Sequence, residues 1–263
     1  MDDAVLMIHG LGGTQDEFGA LPASFKKAGL TVHSLVLPGH GGQPEDLNDV
    51  VMEDWLDAVC KKYDEVMRLH QTVHLVGMCM GALLVCELAK LRAHTQGKLV
   101  LLAPTLYLDG WSMPWYHPLR ALHYLVPMLR RRVRIPEEEP YGIKNERLRA
   151  IVKKRFERGD NFHYAWMPLQ GIWQLDRLRH QVQLHLSSVV CETLIVHARE
   201  DEFSTMRSAF ALQTGIGAAR ANVVILDNSF HMICIDNDKE IVTRVVLAFL
   251  GGENPHANTV AIP

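Results

Sequence analysis

The chain has 263 residues, of which 48% are hydrophobic and 22% are charged, so it is long enough for one large α/β domain or for one domain with an inserted cap. The net charge of −3 provides no excess of basic groups for binding nucleic acid or an anionic membrane as the main partner. The five cysteines are odd in number and lack CxxC or other metal spacing, which argues against a disulfide framework and against a zinc site.

The first element in chain order is the apolar run "AVLMI" (Ala4 to Ile8), which predicts a buried strand. The preceding residues have no basic segment, and no apolar stretch approaches the roughly 20 residues of a spanning helix. We therefore expect no signal peptide, no transmembrane segment and a reducing, cytoplasmic location. The strand is followed by "HGLGGT", and Thr14 with Glu17 predicts a capping box that opens a helix.

The rest of the chain alternates between strand and helix patterns. "TVHSLVL" (Thr31 to Leu37) predicts a strand, and "VHLVG" predicts another strand before a helix over 80–92. Between them, an amphipathic helix is predicted by the helical spacing of Leu56, Val59, Tyr63, Val66 and Met67. Three further strands and the last helix follow in "KLVLLAP", "TLIVH", "NVVIL" and "DKEIVTRVVLAFL". This alternation predicts an α/β fold with a mainly parallel sheet of about six strands, flanked by helices.

One interval departs from the alternation. Residues 105–189 contain no convincing buried strand, and "WSMPWYHPLRALHYLVPMLRRR", "NERLRAIVKKRFERG" and "MPLQGIWQLDRLRH" have helical character. We interpret this segment as a helical cap over the carboxyl ends of the strands. The predicted core then comprises residues 1–104 and 190–252, and residues 253–263 form a frayed tail.

The segment "GMCMGA" (residues 77–82) places Cys79 between two glycines, directly after a predicted strand. A sharp turn from strand into helix strains the residue at its apex, and the flanking glycines leave room for that turn. The side chain of Cys79 would then project from the sheet edge, where the positive end of the following helix favours a thiolate. The alternative is a buried structural cysteine at a glycine-rich helix start.

Backbone donors for an oxyanion are predicted on two turns. The N–H of Met80 follows the nucleophile, and "HGLGG" (His9 to Gly13) offers the N–H of Leu11. The same glycines are also compatible with a plain β–α turn. The spacing does not fit GxGxxG and lacks the matching acidic residue, so no dinucleotide cofactor is expected, and we predict no other cofactor.

A free thiol is mostly protonated at neutral pH and needs a base. His231, in "LDNSFHMICID", follows the predicted strand "NVVIL", and the strand before it leads into Glu200, Asp201 and Glu202. We select Asp201 as the acid, which gives the chain order nucleophile, acid, base expected of an α/β-hydrolase arrangement. Ser229 is a rival nucleophile without a glycine turn.

The other histidines and cysteines receive simpler interpretations. His9 and His40 lie in glycine turns and are expected to be structural. His117, His123 and His163 either line a pocket in the cap or are solvated. The four cysteines outside the glycine turn are expected in the core: Cys60, Cys86, Cys191 and Cys234.

Taken together, "VLMIHGLGGT", "LVLPGHGGQPEDL", "VHLVGMCMGALL", "LIVHAREDEFS" and "SFHMICIDNDKEIVTRVVLAFL" resemble the bacterial monoacylglycerol lipase and small carboxylesterase group of α/β-hydrolases. The resemblance spans nearly the whole chain outside the cap and implies hydrolysis through an acyl-enzyme. It assigns Cys79 as nucleophile, Asp201 as acid, His231 as base, and Leu11 and Met80 as oxyanion donors. The sequence departs from the family at Cys79, where most members carry serine.

The cysteine leaves three functions open. The first is hydrolysis of a small-molecule ester or thioester with a hydrophobic acyl group, through an acyl-cysteine. The second is an acyltransferase that passes the acyl group to an alcohol, amine or thiol, since cysteine turns of this kind also resemble those of polyhydroxyalkanoate synthases and dienelactone hydrolases. The third is a non-catalytic binding protein in which the cysteine has silenced the site.

Overall fold

The structure is a computed structural model that describes residues 3–113, 117–159, 163–217 and 219–253. Its strands are β1 (Ala4–Ile8), β2 (Thr31–Leu35), β3 (Val73–Met78), β4 (Leu99–Leu102), β5 (Arg134–Pro136), β6 (Trp166–Pro168), β7 (Thr193–Ala198) and β8 (Ala221–Leu226). Its α-helices are α1 (Leu21–Lys27), α2 (Met52–Met67), α3 (Met80–Leu91), α4 (Arg120–Tyr124), α5 (Pro127–Arg132), α6 (Glu146–Arg158), α7 (Leu169–Gln183), α8 (Met206–Ile216) and α9 (Lys239–Leu250). Short 3-10 helices cover Gln15–Phe18, Pro44–Asp49, His117–Leu119 and Leu186–Ser188.

Six strands form one sheet in the order β2-β1-β3-β4-β7-β8, and every neighbouring pair is parallel. This confirms the predicted α/β class and the six predicted strands. The register pairs Ile8 with Gly77 and Met78 with Leu102, so these strands end at one edge. In parallel sheets the loops beyond the carboxyl ends of the strands carry functional groups, and here those loops converge on one side.

Both faces of the sheet are buried, as a parallel sheet covered by helices requires. Along β1, Ala4, Leu6 and Ile8 pack in one hydrophobic cluster with residues of α2 and α3. The alternate residues, Val5 and Met7, pack in a second cluster with residues of α1 and α9. Alternate side chains of "AVLMI" therefore pack into two different hydrophobic clusters. For this reason the strand is apolar on both faces and does not alternate between apolar and polar residues.

The cap segment, residues 105–189, lies between β4 and β7 and contains α4 to α7. It also contains an antiparallel pair, β5 and β6, in which Ile135 faces Met167. The segment therefore contains two short strands that were not predicted. Each of these strands has three residues and β5 is exposed, so neither produces the run of buried residues by which a strand is recognised in a sequence.

Three other expectations concern chain segments rather than the sheet. The predicted capping box is wrong: Thr14 caps the 3-10 helix Gln15–Phe18 through the N–H of Asp16, whereas the carboxylate of Glu17 accepts from Gly10. Within the described ranges, no helix is both long and apolar enough to cross a bilayer. The predicted frayed tail falls, apart from residue 253, outside the described residues.

Candidate active site

Cys79 occupies the tight turn between β3 and α3. Its backbone has φ 55° and ψ −117°, a conformation that residues other than glycine rarely adopt. A side chain at Gly77 would overlap the carbonyl of Gly81, and one at Gly81 would overlap the carbonyl of Ile8. The two glycines are therefore required by the close approach of α3 to β1 and β3. The N–H of Cys79 donates to the Leu102 carbonyl at 2.9 Å, which holds the strained residue in place.

The sulfur of Cys79 faces a cavity. Cys79 is partly exposed, whereas Cys60, Cys86, Cys191 and Cys234 are buried, and all five thiols are free. The cavity has a volume of about 1010 Å³ and lies between the sheet edge and the cap segment. Leu11, His231 and many apolar cap residues line it together with Cys79. The cap histidines His117, His123 and His163 also line it, and His123 is at the same time exposed to solvent.

His231 lies in the loop after β8, next to Asp201 from the loop after β7. The Nδ1 of His231 is 2.7 Å from Oδ2 of Asp201, and both residues are buried. The other carboxylate oxygen of Asp201 accepts the N–H groups of Phe203 and Ser204 at 2.9 and 3.0 Å. The carboxylate is thus fixed by its own loop. Nδ1 must carry the proton of the shared hydrogen bond, so Nε2 is the nitrogen that can exchange a proton with a reacting group.

The charges around His231 favour its protonated form. Burial by itself lowers the pKa of His231, but the Asp201 carboxylate and then a Cys79 thiolate outweigh this effect and hold the pKa well above the usual value. Burial likewise opposes ionisation of Asp201, yet the charge and hydrogen bond of His231 keep the pKa of Asp201 below its usual value. Among the described residues, Nε2 of His231 has no hydrogen-bond partner of normal geometry. In a resting enzyme, the hydrogen bond between a catalytic base and its partner is often long or poorly aligned, and it shortens when the substrate binds.

The polar residues next to Asp201 and His231 in the sequence make other contacts. Glu200 is exposed and bonds to Lys144 at 2.6 Å. Glu202 is buried and accepts the main-chain N–H of His231 at 3.1 Å, and burial raises the pKa of Glu202 to about 7. Ser229 is buried and donates to Asp238 at 2.9 Å, so its hydroxyl is engaged in the loop.

The two predicted oxyanion donors lie on the expected turns. Met80 begins α3, and Leu11 lies on the turn after β1 that packs against Cys79. A Cβ built on Gly10 would lie 2.9 Å from Cβ and 3.5 Å from Sγ of Cys79, which shows how closely this turn approaches the thiol. In the described ranges, the N–H of neither Leu11 nor Met80 donates to a protein acceptor. Both donors are therefore available to a bound group.

His9 supports the same turn as a neutral imidazole. Its Nδ1 bonds to the Gly10 carbonyl at 2.8 Å, and its Nε2 accepts the Leu37 N–H at 3.1 Å. A ring that accepts an amide proton at Nε2 must be unprotonated there. Burial is the main reason why the pKa of His9 is lowered to about 4.

Acid is therefore expected to destabilise the fold through His9. Above pH 6.5 the ring is neutral in the folded and the unfolded chain, but between pH 6.5 and 4 only the unfolded chain takes up the proton. At about 1.4 kcal/mol per pKa unit, the loss in free energy of unfolding between pH 7 and pH 4 is about 3 kcal/mol. Urea denaturation of the wild type and of His9→Gln at both pH values measures it. Equal losses in the two proteins would contradict the assignment.

Two cavity residues escaped the sequence analysis. Thr105 follows β4, and its Oγ1 lies 3.8 Å from Sγ of Cys79. Its position just after a predicted strand was a partial signal, because parallel strands end at the same edge of a sheet. Glu17 lines the cavity and accepts the N–H of Gly10 at 2.8 Å. In the sequence, the spacing of Glu17 from Thr14 predicted a capping box, and therefore a role at the start of a helix and not in the cavity.

Comparison with known proteins shows which family the chain belongs to. The sequence profile of the alpha/beta hydrolase family matches residues 5–244, which include every residue of the site described above. The chain belongs to the alpha/beta hydrolase family. This α/β hydrolase is 25% identical to the thermostable monoacylglycerol lipase of Bacillus sp. (strain H-257) over 252 residues, which cover 93% of this chain and 89% of the relative. It is 22% identical to a carboxylesterase of Bacillus subtilis (strain 168) over 250 residues, or 95% and 92% of the two chains.

The same α/β hydrolase fold is found in solved structures. A structure from a study of LipS and LipT, two metagenome-derived lipolytic enzymes, superimposes with a TM-score of 0.81 at 23% identity, covering 96% of each chain. The monoacylglycerol lipase of Paleococcus ferrophilus superimposes with a TM-score of 0.76 at 17% identity, covering 95% of each chain. Because the coverage includes residues 105–189, the likeness extends over the cap segment as well as the core.

Proposed function

We propose that this α/β hydrolase cleaves small-molecule esters or thioesters with a hydrophobic acyl group, through an acyl-cysteine intermediate of a Cys79–His231–Asp201 triad. The observation that carries the proposal is the 2.7 Å contact between His231 and Asp201 in the wall of a cavity that also contains Cys79 on its strained turn. Family membership and the similarity to a monoacylglycerol lipase and a carboxylesterase support ester hydrolysis as the reaction class.

The first half-reaction transfers the acyl group to sulfur. The Cys79 thiolate attacks the carbonyl carbon, a C–S bond forms, and the carbonyl oxygen becomes an oxyanion that the N–H groups of Leu11 and Met80 bind. Protonated His231 donates through Nε2 to the leaving alcohol or thiol as its bond to carbon breaks. Asp201 holds the imidazolium in orientation and balances its charge.

The second half-reaction releases the acid. His231 takes a proton from water, the resulting hydroxide attacks the thioester, and the same two N–H groups bind the second oxyanion. The C–S bond then breaks, which returns a thiolate next to protonated His231. The site therefore regains its starting charges, and the raised pKa of His231 favours this end state.

The cavity supports a hydrophobic acyl group. Its lining is mostly apolar and includes Leu108, Leu148, Ile151, Ile172 and Met167. Ligand cavities bury most of a ligand and use a few polar groups to orient it. In this proposal the cap segment closes the cavity and shields the thioester from bulk water.

The proposal is tested by a screen of p-nitrophenyl esters and acyl thioesters of graded chain length, with the wild type beside Cys79→Ser. We expect hydrolysis that rises with chain length before it levels off, because apolar contacts grow with each methylene. Flat or absent hydrolysis across both series would contradict the proposal. Added alcohols, amines and thiols measure transfer, and predominant acyl transfer at saturating acceptor would replace hydrolysis by the acyltransferase alternative.

A further inference from the structure

Glu17 is a buried carboxyl group on the inner side of the turn that carries Leu11. It lies in the 3-10 helix Gln15–Phe18, is only 5% exposed, and its Oε2 accepts the Gly10 N–H at 2.8 Å. A Cβ built on Gly10 would lie 3.2 Å from this Oε2 and 3.5 Å from Sγ of Cys79, so the two atoms are less than 7 Å apart. The carboxyl group therefore sits beside the nucleophile without belonging to the triad.

The glycines of the turn fit around this carboxyl group. A side chain at Gly13 would overlap the carboxyl of Glu17, and one at Gly10 would be compressed between Glu17 and Cys79. The turn closes with a hydrogen bond from the Gly13 N–H to the Gly10 carbonyl at 3.4 Å. Glu17 is therefore in close contact with both ends of the turn formed by residues 10–13.

Burying a carboxyl group is unfavourable, so an apolar side chain would fill this space at lower cost. What the carboxyl adds is an acceptor for the otherwise unpaired N–H of Gly10. Burial is the main effect that raises the pKa of Glu17, and the charge of His163, whose Nε2 lies 4.0 Å from Oε1, is the chief opposing effect. The hydrogen bond from Gly10 at 2.8 Å therefore offsets part of the cost of burying the carboxyl group.

We propose that Glu17 is a positioning residue that holds the Gly10–Gly13 turn so that the Leu11 N–H points at the oxyanion. The inference rests on the proposed function only for its kinetic consequence; the effect on the turn is independent of it. Glu17 touches neither the sulfur nor the substrate carbonyl in this role. It acts through the main chain of Gly10.

Two substitutions separate the acceptor from the bulk of the side chain. Glu17→Gln keeps an oxygen acceptor and nearly the same shape, whereas Glu17→Leu keeps most of the volume and removes the acceptor. Gln15→Leu, an exposed residue in the same 3-10 helix, is the matched control. Thermal denaturation of each variant shows whether the fold is retained.

Hydrogen–deuterium exchange of residues 9–14 is the first readout. We expect faster exchange at Gly10 in Glu17→Leu, and wild-type exchange in Glu17→Gln and Gln15→Leu. The second readout is steady-state hydrolysis of the best ester from the screen. We expect kcat to fall on the order of 10- to 100-fold in Glu17→Leu with KM within about threefold, and to be restored in Glu17→Gln, because an oxyanion donor acts mainly in the transition state.

Alkylation of Cys79 by iodoacetamide distinguishes an effect on the turn from an effect on the reactivity of the thiol, because this reaction forms no oxyanion. We expect the same alkylation rate in all three variants within about threefold. The proposal is overturned by wild-type exchange and kcat in Glu17→Leu, by a Glu17→Gln variant as slow as Glu17→Leu, or by a parallel loss of alkylation. If the proposed function is wrong, a Cys79→Ala protein remains active. In that case the hydrogen–deuterium exchange measurement still tests whether Glu17 holds the turn.

Discussion

Replacing Cys79 by alanine is expected to lower kcat for ester hydrolysis by at least about 10³-fold, because it removes the sulfur that the proposed acyl-enzyme requires. Ser229, the rival nucleophile, is buried and bonded to Asp238. The measurement is steady-state hydrolysis of the ester that the wild type cleaves best, with thermal denaturation to verify the fold.

Cys60→Ala is the matched control, because it removes a buried thiol from α2 without touching the cavity. It is expected to retain wild-type kcat. A Cys79→Ala protein that keeps more than a tenth of the wild-type activity would exclude the proposed nucleophile. Such a result would also mean that the strained backbone at residue 79 is not explained by catalysis at Cys79.

Replacing Asp201 by asparagine is expected to lower kcat on the order of 10³-fold, while the fold persists because the two side chains have the same shape. The substitution removes the charge that most strongly raises the pKa of His231 and allows the amide to bind the wrong tautomer of the ring. The pH profile of kcat/KM is measured from pH 5 to 10. The apparent pKa of His231 in this profile should be lower in the variant than in the wild type.

Glu200→Gln is the control for Asp201→Asn. Glu200 is the adjacent carboxylate, is exposed, and contacts Lys144 instead of the imidazole. Its variant is expected to retain kcat within twofold. If Glu200→Gln were as impaired as Asp201→Asn, or if Asp201→Asn stayed within tenfold of the wild type, the acid would have to be reassigned.

The parallel core was predictable because its four central strands, β1, β3, β4 and β7, are buried on both faces. Runs such as "AVLMI" and "TLIVH" are entirely apolar or nearly so, and helical patterns separate them, which leaves few topologies besides a parallel sheet. The positions of Cys79, Asp201 and His231 after β3, β7 and β8 follow from the same rule. A residue just beyond the carboxyl end of a parallel strand lies at the shared edge, whatever its distance along the chain.

The parts that escaped prediction depend on contacts between distant segments. The strands β5 and β6 have three residues each and are defined by their pairing, not by burial. Glu17 has the spacing of a capping residue to Thr14, but the backbone turns back so that its carboxyl reaches Gly10 instead. The contact between Thr105 and Cys79 joins the end of β4 to the turn after β3, and only the register of the sheet brings them together.

Intact-mass spectrometry of the protein, quenched during turnover of a p-nitrophenyl ester, tests the acyl-cysteine most directly. The account predicts a species heavier than the free protein by one acyl group, with the adduct mapped to the peptide that contains Cys79 and absent from Cys79→Ala. Turnover without any covalent species under conditions where acylation is faster than deacylation, or an adduct mapped to Ser229 or another residue, would contradict it.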